Sequence, residues 1–348
     1  MAQVFSTYQE LLDCVKEKSK EIEVMGSAPD GAPIVAVRSG GDKTPAIFIT
    51  AGSHSTEQAG VTAAVELIDE LDTQHQVYVI PSRDPLGMNG YAYALSQGLG
   101  EEVAFDSFEE LEAILRDKGE LLYEKDETFL VLIGEYGYAN HNILGRMGEA
   151  PAAAIEPFKG RRVFVPTRRG GVEGTDHFKR AYTLIMGPDG ELLHINRFHD
   201  TEWAPVEPRC ARNLMKRINP GISFDIHESM GIGDRFWLSA RNQQDKENQE
   251  WEARAARATI QAIADSGVEL AREEEDDPAS FFTRSERAVY WLDASKRGEG
   301  LNLMDFAAVH YGLAFGTEMG MFGSFEQRVM LGKVTVQAAV GVFEERYK

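Results

Sequence analysis

His54 and Glu57 stand three residues apart in the stretch A-I-F-I-T-A-G-S-H-S-T-E, Ala46–Glu57. Ala46–Thr50 reads as a buried strand, Ala51-Gly52-Ser53 as the turn out of it, and a helix is expected to begin near His54. At that spacing an imidazole and a carboxylate share one face of the first helical turn. Offered together at the carboxyl end of a strand, they suit a divalent metal, zinc above all. Glutamate is also common at helix starts, where it meets the dipole, so the pair needs further ligands before it carries weight. His227, which ends the strand Ile222–Ile226, and Glu318, which ends Leu313–Thr317, lie where such ligands should be. Open α/β sheets build their sites outside the carboxyl ends of strands, so these three places can converge. His54, Glu57 and His227 then supply two nitrogens and a carboxylate and leave a fourth position for water, the pattern of a catalytic zinc. Glu318 remains as a general base for that water. The same ligands also accept Mn2+ or Fe2+.

Residues so far apart need a sheet to bring them together. An amphipathic helix is expected over residues 6–24, with Leu11, Leu12 and Val15 on its inner side. Pro33–Arg38, Ala46–Thr50 and Val77–Pro81 read as strands, with a helix over roughly Gln58–Leu71 between the last two. Strand, helix, strand in that order makes a right-handed crossover in a mainly parallel sheet. Phe129–Ile133 and Ile222–His227 read as further strands; Glu207–Ile218, Asp245–Ser266, residues 302–311 and Glu326–Glu345 read as helices. The expected fold class is α/β, three layers α/β/α around a mixed, mainly parallel central sheet. A single domain over residues 1–348 is expected, with an inserted segment at about 89–195. Inside the insert, the acidic run Glu101–Glu127 reads as a solvated helical excursion with the apolar stripe Phe108, Leu111, Ile114 and Leu115. Residues 146–180 are basic, through Arg146, Arg161, Arg162, Arg168, Arg169, Lys179 and Arg180. They form either a solvated surface or an anion-binding rim.

At 348 residues, 43% hydrophobic and 26% charged, the chain has the composition of a globular protein with a sizeable core. A net charge of −20 argues against nucleic acid as a partner. Cys14 and Cys210 are the only cysteines, so neither a disulfide framework nor a cysteine-based zinc site is expected. No secretory signal and no membrane-length apolar run is visible, which points to a cytoplasmic protein. The nucleophile elbow, the phosphate loop, the dinucleotide-binding glycine motif and H-E-x-x-H are all missing; His227-Glu228-Ser229-Met230-Gly231 lacks the second histidine of the last. His75, His141, His177, His199 and His310 read as structural or surface residues, and Asp225 as an ordinary strand residue rather than a support for His227.

H-S-T-E at His54–Glu57, N-R at Asn196-Arg197, D-I-H at Asp225–His227 and G-T-E at Gly316–Glu318 follow one another in the order of the zinc carboxypeptidase family, which the chain resembles over about Phe5–Met321. The flanking M-G-S-A-P-D-G-A-P-I and I-P-S-R-D-P-L-G also resemble family segments, with Ala32 for an arginine and Asp84 for an asparagine. The resemblance implies one zinc per chain on His54, Glu57 and His227, with Glu318 as base and proton shuttle. It also implies that Asn196 and Arg197 bind a substrate carboxylate, a task to which a guanidinium fork and a neighbouring amide are suited. The family's oxyanion arginine lies shortly before the N-R pair, where Arg180 is the first choice and Arg168 or Arg169 the next. Two departures stand out. His194 occupies the place of the aspartate that usually orients the first ligand histidine, and the family's tyrosine has no good counterpart at Tyr290 or Tyr311. The implied activity is removal of a C-terminal amino acid from a peptide. Deacylation of a small N-acyl amino acid, as in the desuccinylase and aspartoacylase-like relatives, is the alternative, and a carboxylate-binding protein with a degenerate site is the non-enzymatic one.

Overall fold

The computed structural model describes the chain apart from residues 1, 19, 141–142, 144–158, 167–179, 188–191, 273–281 and 294–299. Helix α1 (Tyr8–Glu17), capped by the Thr7 hydroxyl, leads into β1 (Glu21–Ser27), β2 (Pro33–Gly40) and β3 (Lys43–Ala51). Next come α2 (Gln58–Glu70) and β4 (His75–Ile80). β3 and β4 pair in parallel across α2, the expected crossover. The main sheet is completed by β11 (Ile222–Ile226), β12 (Glu228–Ser229), β13 (Phe236–Asn242), β14 (Phe282–Glu286), β15 (Val289–Asp293) and β16 (Leu313–Gly320), in the order β1-β2-β4-β3-β11-β16-β13-β15-β14 with β12 beside β16. Its middle is parallel, β4-β3-β11-β16, and its flanks are mixed.

Period-two alternation puts the two faces of this sheet against different helices. Ile47, Ile49, Leu313 and Phe315 face a core shared with α1, α2, α7 (Lys246–Asp265) and α9 (Phe325–Arg346). Phe48 and Ala314 face the opposite core, made with α6 (Val206–Ile218) and α8 (Leu303–His310). The expected α/β/α layering is what the structure shows. Cys210 packs in that second core and both cysteines are free thiols. No helix among the described residues is long and apolar enough to cross a membrane.

The insert departs from expectation. After the short α3 (Pro85–Asn89), α4 (Tyr91–Leu99) and α5 (Phe108–Lys118), it builds a second sheet of its own. β5 (Glu120–Lys125), β6 (Thr128–Ile133), β7 (Tyr136–Ala139), β8 (Arg162–Pro166), β9 (Ala181–Met186) and β10 (Leu192–His194) lie in the order β10-β9-β8-β7-β6-β5. Phe129–Ile133 is a strand as expected, but it belongs here. The acidic run is helix only to Lys118; beyond it Glu120–Lys125 pairs with β6 across the tight turn at Asp126, whose φ is 54°.

α2 carries Glu57 at its start and is held closely against α9. A Cβ added at Gly332 would lie 2.8 Å from the Ala63 Cβ, so no side chain fits there without a shift. Alanine in a helix interior is normally worth about 1 kcal/mol over glycine, whereas overpacking costs about 1–3 kcal/mol. Gly332→Ala is therefore expected to lower the urea unfolding midpoint. A raised midpoint would show that the helices separate at little cost.

Candidate metal centre

Strand β3 ends in a turn at Gly52 (φ +62°), where a Cβ would come within 2.7 Å of the Ser82 hydroxyl. His54 lies on that turn. The Glu57 amide donates to the His54 carbonyl at 3.0 Å, and the helix begins only at Gln58, with Glu57 at its N-cap position. The pair thus precedes the helix instead of sharing its first turn, and the turn's own hydrogen bond brings the side chains together. His54 Nδ1 is 2.7 Å from Glu57 Oε1. β11 runs parallel to β3 and β16 at once, with Asp225 level with Thr50 and with Gly316. That register carries His227 to the other oxygen of Glu57, its Nδ1 2.8 Å from Oε2.

One ligand atom from each of His54, Glu57 and His227 lies within 4.8 Å of the others. Two imidazole nitrogens converging on both oxygens of one buried carboxylate form a donor set that fits a divalent cation. Burial works against charge on Glu57, yet the two histidines hold its carboxyl down to about 2. Burial lowers His54, so its imidazole stays neutral as a ligand must. Burial opposes charge on His227 too, but the Asp225 and Glu57 carboxylates outweigh it and raise the ring well above its ordinary value. Glu318 lies further along β16 and faces the same cavity. Burial, with Glu57 and Asp225 adding repulsion, pushes its carboxyl up to about 8 against the pull of His227 and Arg197.

The cavity holds about 130 Å³. Its floor is His54, His227 and Glu318, Arg197 stands on the wall, and Trp237 and Phe282 make an apolar side. Asn196 also lines it, but the side chain is engaged within the protein. Its Oδ1 accepts from Arg83 at 3.0 Å and from the Leu303 amide at 3.3 Å, and its Nδ2 donates to Asp225 at 3.0 Å. Asn196 thus braces the residues behind His227, where the sequence reading puts it on a substrate carboxylate.

Arg180 requires the larger correction. Its buried guanidinium donates to the carbonyls of Ser6, Met88 and Phe5 and to Gln58 Oε1, and it is not among the residues lining the cavity. It anchors the start of β9 to the chain ahead of α1 and to α2, and is not placed for an oxyanion. Spacing in the sequence could not reveal this, because its partners are mainly backbone carbonyls. Arg168, Arg169, His141 and His177 lie outside the described residues. His194 does sit beside His54, ring edge to ring face at 4.6 Å, and burial holds it well below its ordinary value.

Two residues that matter to the site give no signal in the sequence. Arg83, fully buried, donates one guanidinium nitrogen to both Asp225 oxygens at 2.7 Å. Glu228 accepts from the amides of Ala59 and Gly60 at 2.7 and 3.3 Å, and its other oxygen pairs with Arg328. It thereby ties the strand end bearing His227 to the helix start bearing Glu57. Arg83 lies inside the I-P-S-R-D-P-L-G segment and Glu228 follows His227, but neither advertises its partner. Asp225 is the reverse case: expected to be an ordinary strand residue, it places its carboxylate 2.9 Å from His227 Nε2.

No protein-family model matches the sequence and no protein of curated function does. Solved structures do. A metallo-carboxypeptidase of Pseudomonas aeruginosa, in complex with (2-guanidinoethylmercapto)succinic acid, matches at a TM-score of 0.52 and 13% identity, over 97% of this chain and 69% of its own. A metallo-carboxypeptidase of Burkholderia cenocepacia gives 0.51 and 11%, over 97% and 68%. A Shewanella denitrificans protein, described provisionally as a metallopeptidase, gives 0.53 and 12%, over 98% and 90%. At such identities the likeness speaks for architecture, and the architecture of this chain is the zinc carboxypeptidase-like fold.

Proposed function

We propose that the chain is a zinc-dependent amide hydrolase that removes a C-terminal amino acid from a short peptide. The observation that carries this reading is the convergence of His54, Glu57 and His227 beside a half-buried Glu318, with Arg197 on the same small cavity. A single Zn2+ held by those three residues would polarise the scissile carbonyl and acidify the attacking water. Arg197 binds the substrate's terminal carboxylate through its planar fork, which sets the last peptide bond over the centre. Glu318 takes the proton from the water and gives it to the leaving nitrogen. Its place on the cavity beside the proposed ligands suits both halves of that transfer. The apolar side at Trp237 and Phe282 accepts the departing residue's side chain and excludes bulk water. A binding protein with no catalysis would have no use for a base beside the ligands.

A second reading, deacylation of a small N-acyl amino acid, is favoured by the cavity's modest volume of about 130 Å³, which suits one residue and a short acyl group. The same residues keep the same roles, with the bond cleaved on the amino side of the recognised amino acid. Peptides and N-acyl amino acids compared on the zinc-loaded protein separate the two. Cleavage of neither, with zinc bound, would leave only the carboxylate-binding alternative.

Stripping the metal with a chelator is expected to abolish hydrolysis, and stoichiometric Zn2+ to restore it; activity that survives full removal excludes the mechanism. Glu318→Gln is expected to cut kcat by roughly 10²–10⁴-fold with zinc still bound. It should also stabilise the metal-free protein. A carboxyl raised from 4.5 to about 8 on folding favours the folded state fully below pH 4.5 and loses that contribution as pH rises towards 8. The deficit reaches about 3 kcal/mol at pH 7. Melting of the metal-free wild type should therefore fall between pH 5 and 8 more steeply than that of the variant. Arg197→Ala should raise KM for substrates with a free carboxylate far more than for their amides, and equal effects would take Arg197 out of carboxylate recognition.

A further inference from the structure

The two histidines of the centre are held unequally. Asp225 and His227 lie two residues apart at the end of β11, so their side chains leave the strand on one side. Asp225 Oδ2 is 2.9 Å from His227 Nε2. A carboxylate can only accept, so Asp225 favours a proton on Nε2, where Asn196 Nδ2 also lies at 3.2 Å, and leaves Nδ1, 2.8 Å from Glu57 Oε2, as the nitrogen that would meet a cation. Behind Asp225 the Arg83 guanidinium grips both carboxylate oxygens at 2.7 Å, while its second nitrogen donates to Asn196 Oδ1 at 3.0 Å and reaches His199 Nε2 at 3.3 Å. Asn196 Nδ2 closes the circuit on Asp225 at 3.0 Å, and His199 Nδ1 faces the Leu301 carbonyl at 3.3 Å. Arg83, Asp225, Asn196 and His199 are each at most 3% exposed. His54 has nothing comparable. Its Nε2 is buried without a hydrogen-bond partner among the described residues, and the rings of His194 and Tyr182 lie against it.

Resting on the reading that His54, Glu57 and His227 hold a metal, we propose that Asp225, clamped by Arg83, is the positioning residue that fixes the ring and tautomer of His227 and so sets the affinity of the site. Support of this kind for a ligating histidine typically changes metal affinity 10–100-fold. His227 is then the ligand fixed from behind, while His54 is held through Glu57 and the rings beside it.

The test is a competition titration of Zn2+ against a chromophoric chelator on the purified protein, with Co2+ absorption as a second readout. Asp225→Asn keeps the shape but strands the Arg83 charge, which can cost about 3–5 kcal/mol. Arg83→Gln/Asp225→Asn removes both charges and preserves the fold more readily. Both variants are expected to bind Zn2+ about 10–100-fold more weakly, with a changed Co2+ spectrum. Glu252→Gln, a buried carboxylate between β13 and β16, should alter neither. Wild-type affinity and spectrum in the folded double variant would overturn the proposal. Wild-type protein that takes up no stoichiometric Zn2+ would overturn the metal reading itself. One measurement needs no variant: 15N resonances of the zinc-loaded wild type should show His227 as the Nε2–H tautomer, and an Nδ1–H tautomer would refute the assignment.

Discussion

Four carboxylates, Glu57, Asp225, Glu228 and Glu318, are gathered at the carboxyl ends of three adjacent parallel strands, where burial penalises the charge on every one. Their mutual repulsion is the constraint that the surrounding structure answers. Each is relieved in a different way. Glu228 has the Arg328 guanidinium and two helix-start amides, Asp225 has Arg83 and Asn196, and Glu57 has two imidazoles. Glu318 answers with a raised proton affinity instead of a paired guanidinium. Removing one member of a buried pair costs far more than the pair contributes, so the site depends on its arginines no less than on its ligands.

This arrangement also explains what the sequence could and could not reveal. His54, Glu57, His227 and Glu318 are legible because each follows a recognisable apolar strand, and the sheet rule places strand ends together. The order of the motifs points to the fold. Arg83 and Arg328 are opaque, since a charged residue in a loop or a helix reads as solvated until its partner's position is known. Asn196 is legible as a cavity residue but not in its role, because an amide beside an arginine suits a substrate carboxylate and an internal one equally well. Asp225 is hidden for a similar reason. Its value comes from a neighbour on its own strand face and from an arginine far away in sequence.

The insert is the least legible part. Its acidic composition favours a solvated helix throughout, and α5 fulfils that over Phe108–Lys118. The hairpin β5–β6 that follows is held by the alternation of Tyr123, Phe129 and Val131 towards two small cores, a pattern too short to outweigh the run of charge. Arg180 then fastens this second sheet to the main body through backbone carbonyls. His194 ends its last strand and its ring lies against His54, so this segment contributes directly to the wall around His54.

The Glu228–Arg328 pair has a bearing on when the centre can exist at all. Glu57 belongs to the first fifth of the chain and Arg328 to the last helix, yet one carboxylate joins the start of α2 to that helix. β3 and β11 pair directly, but the brace between their ends, from α2 through Glu228 to Arg328, is complete only once α9 has folded back. The two contacts of that brace span 169 and 100 residues, and loop closure over such distances places them among the later contacts to form. A partly made chain therefore has the two strand ends without the brace between them. Final alignment of the candidate centre is deferred to the completed fold.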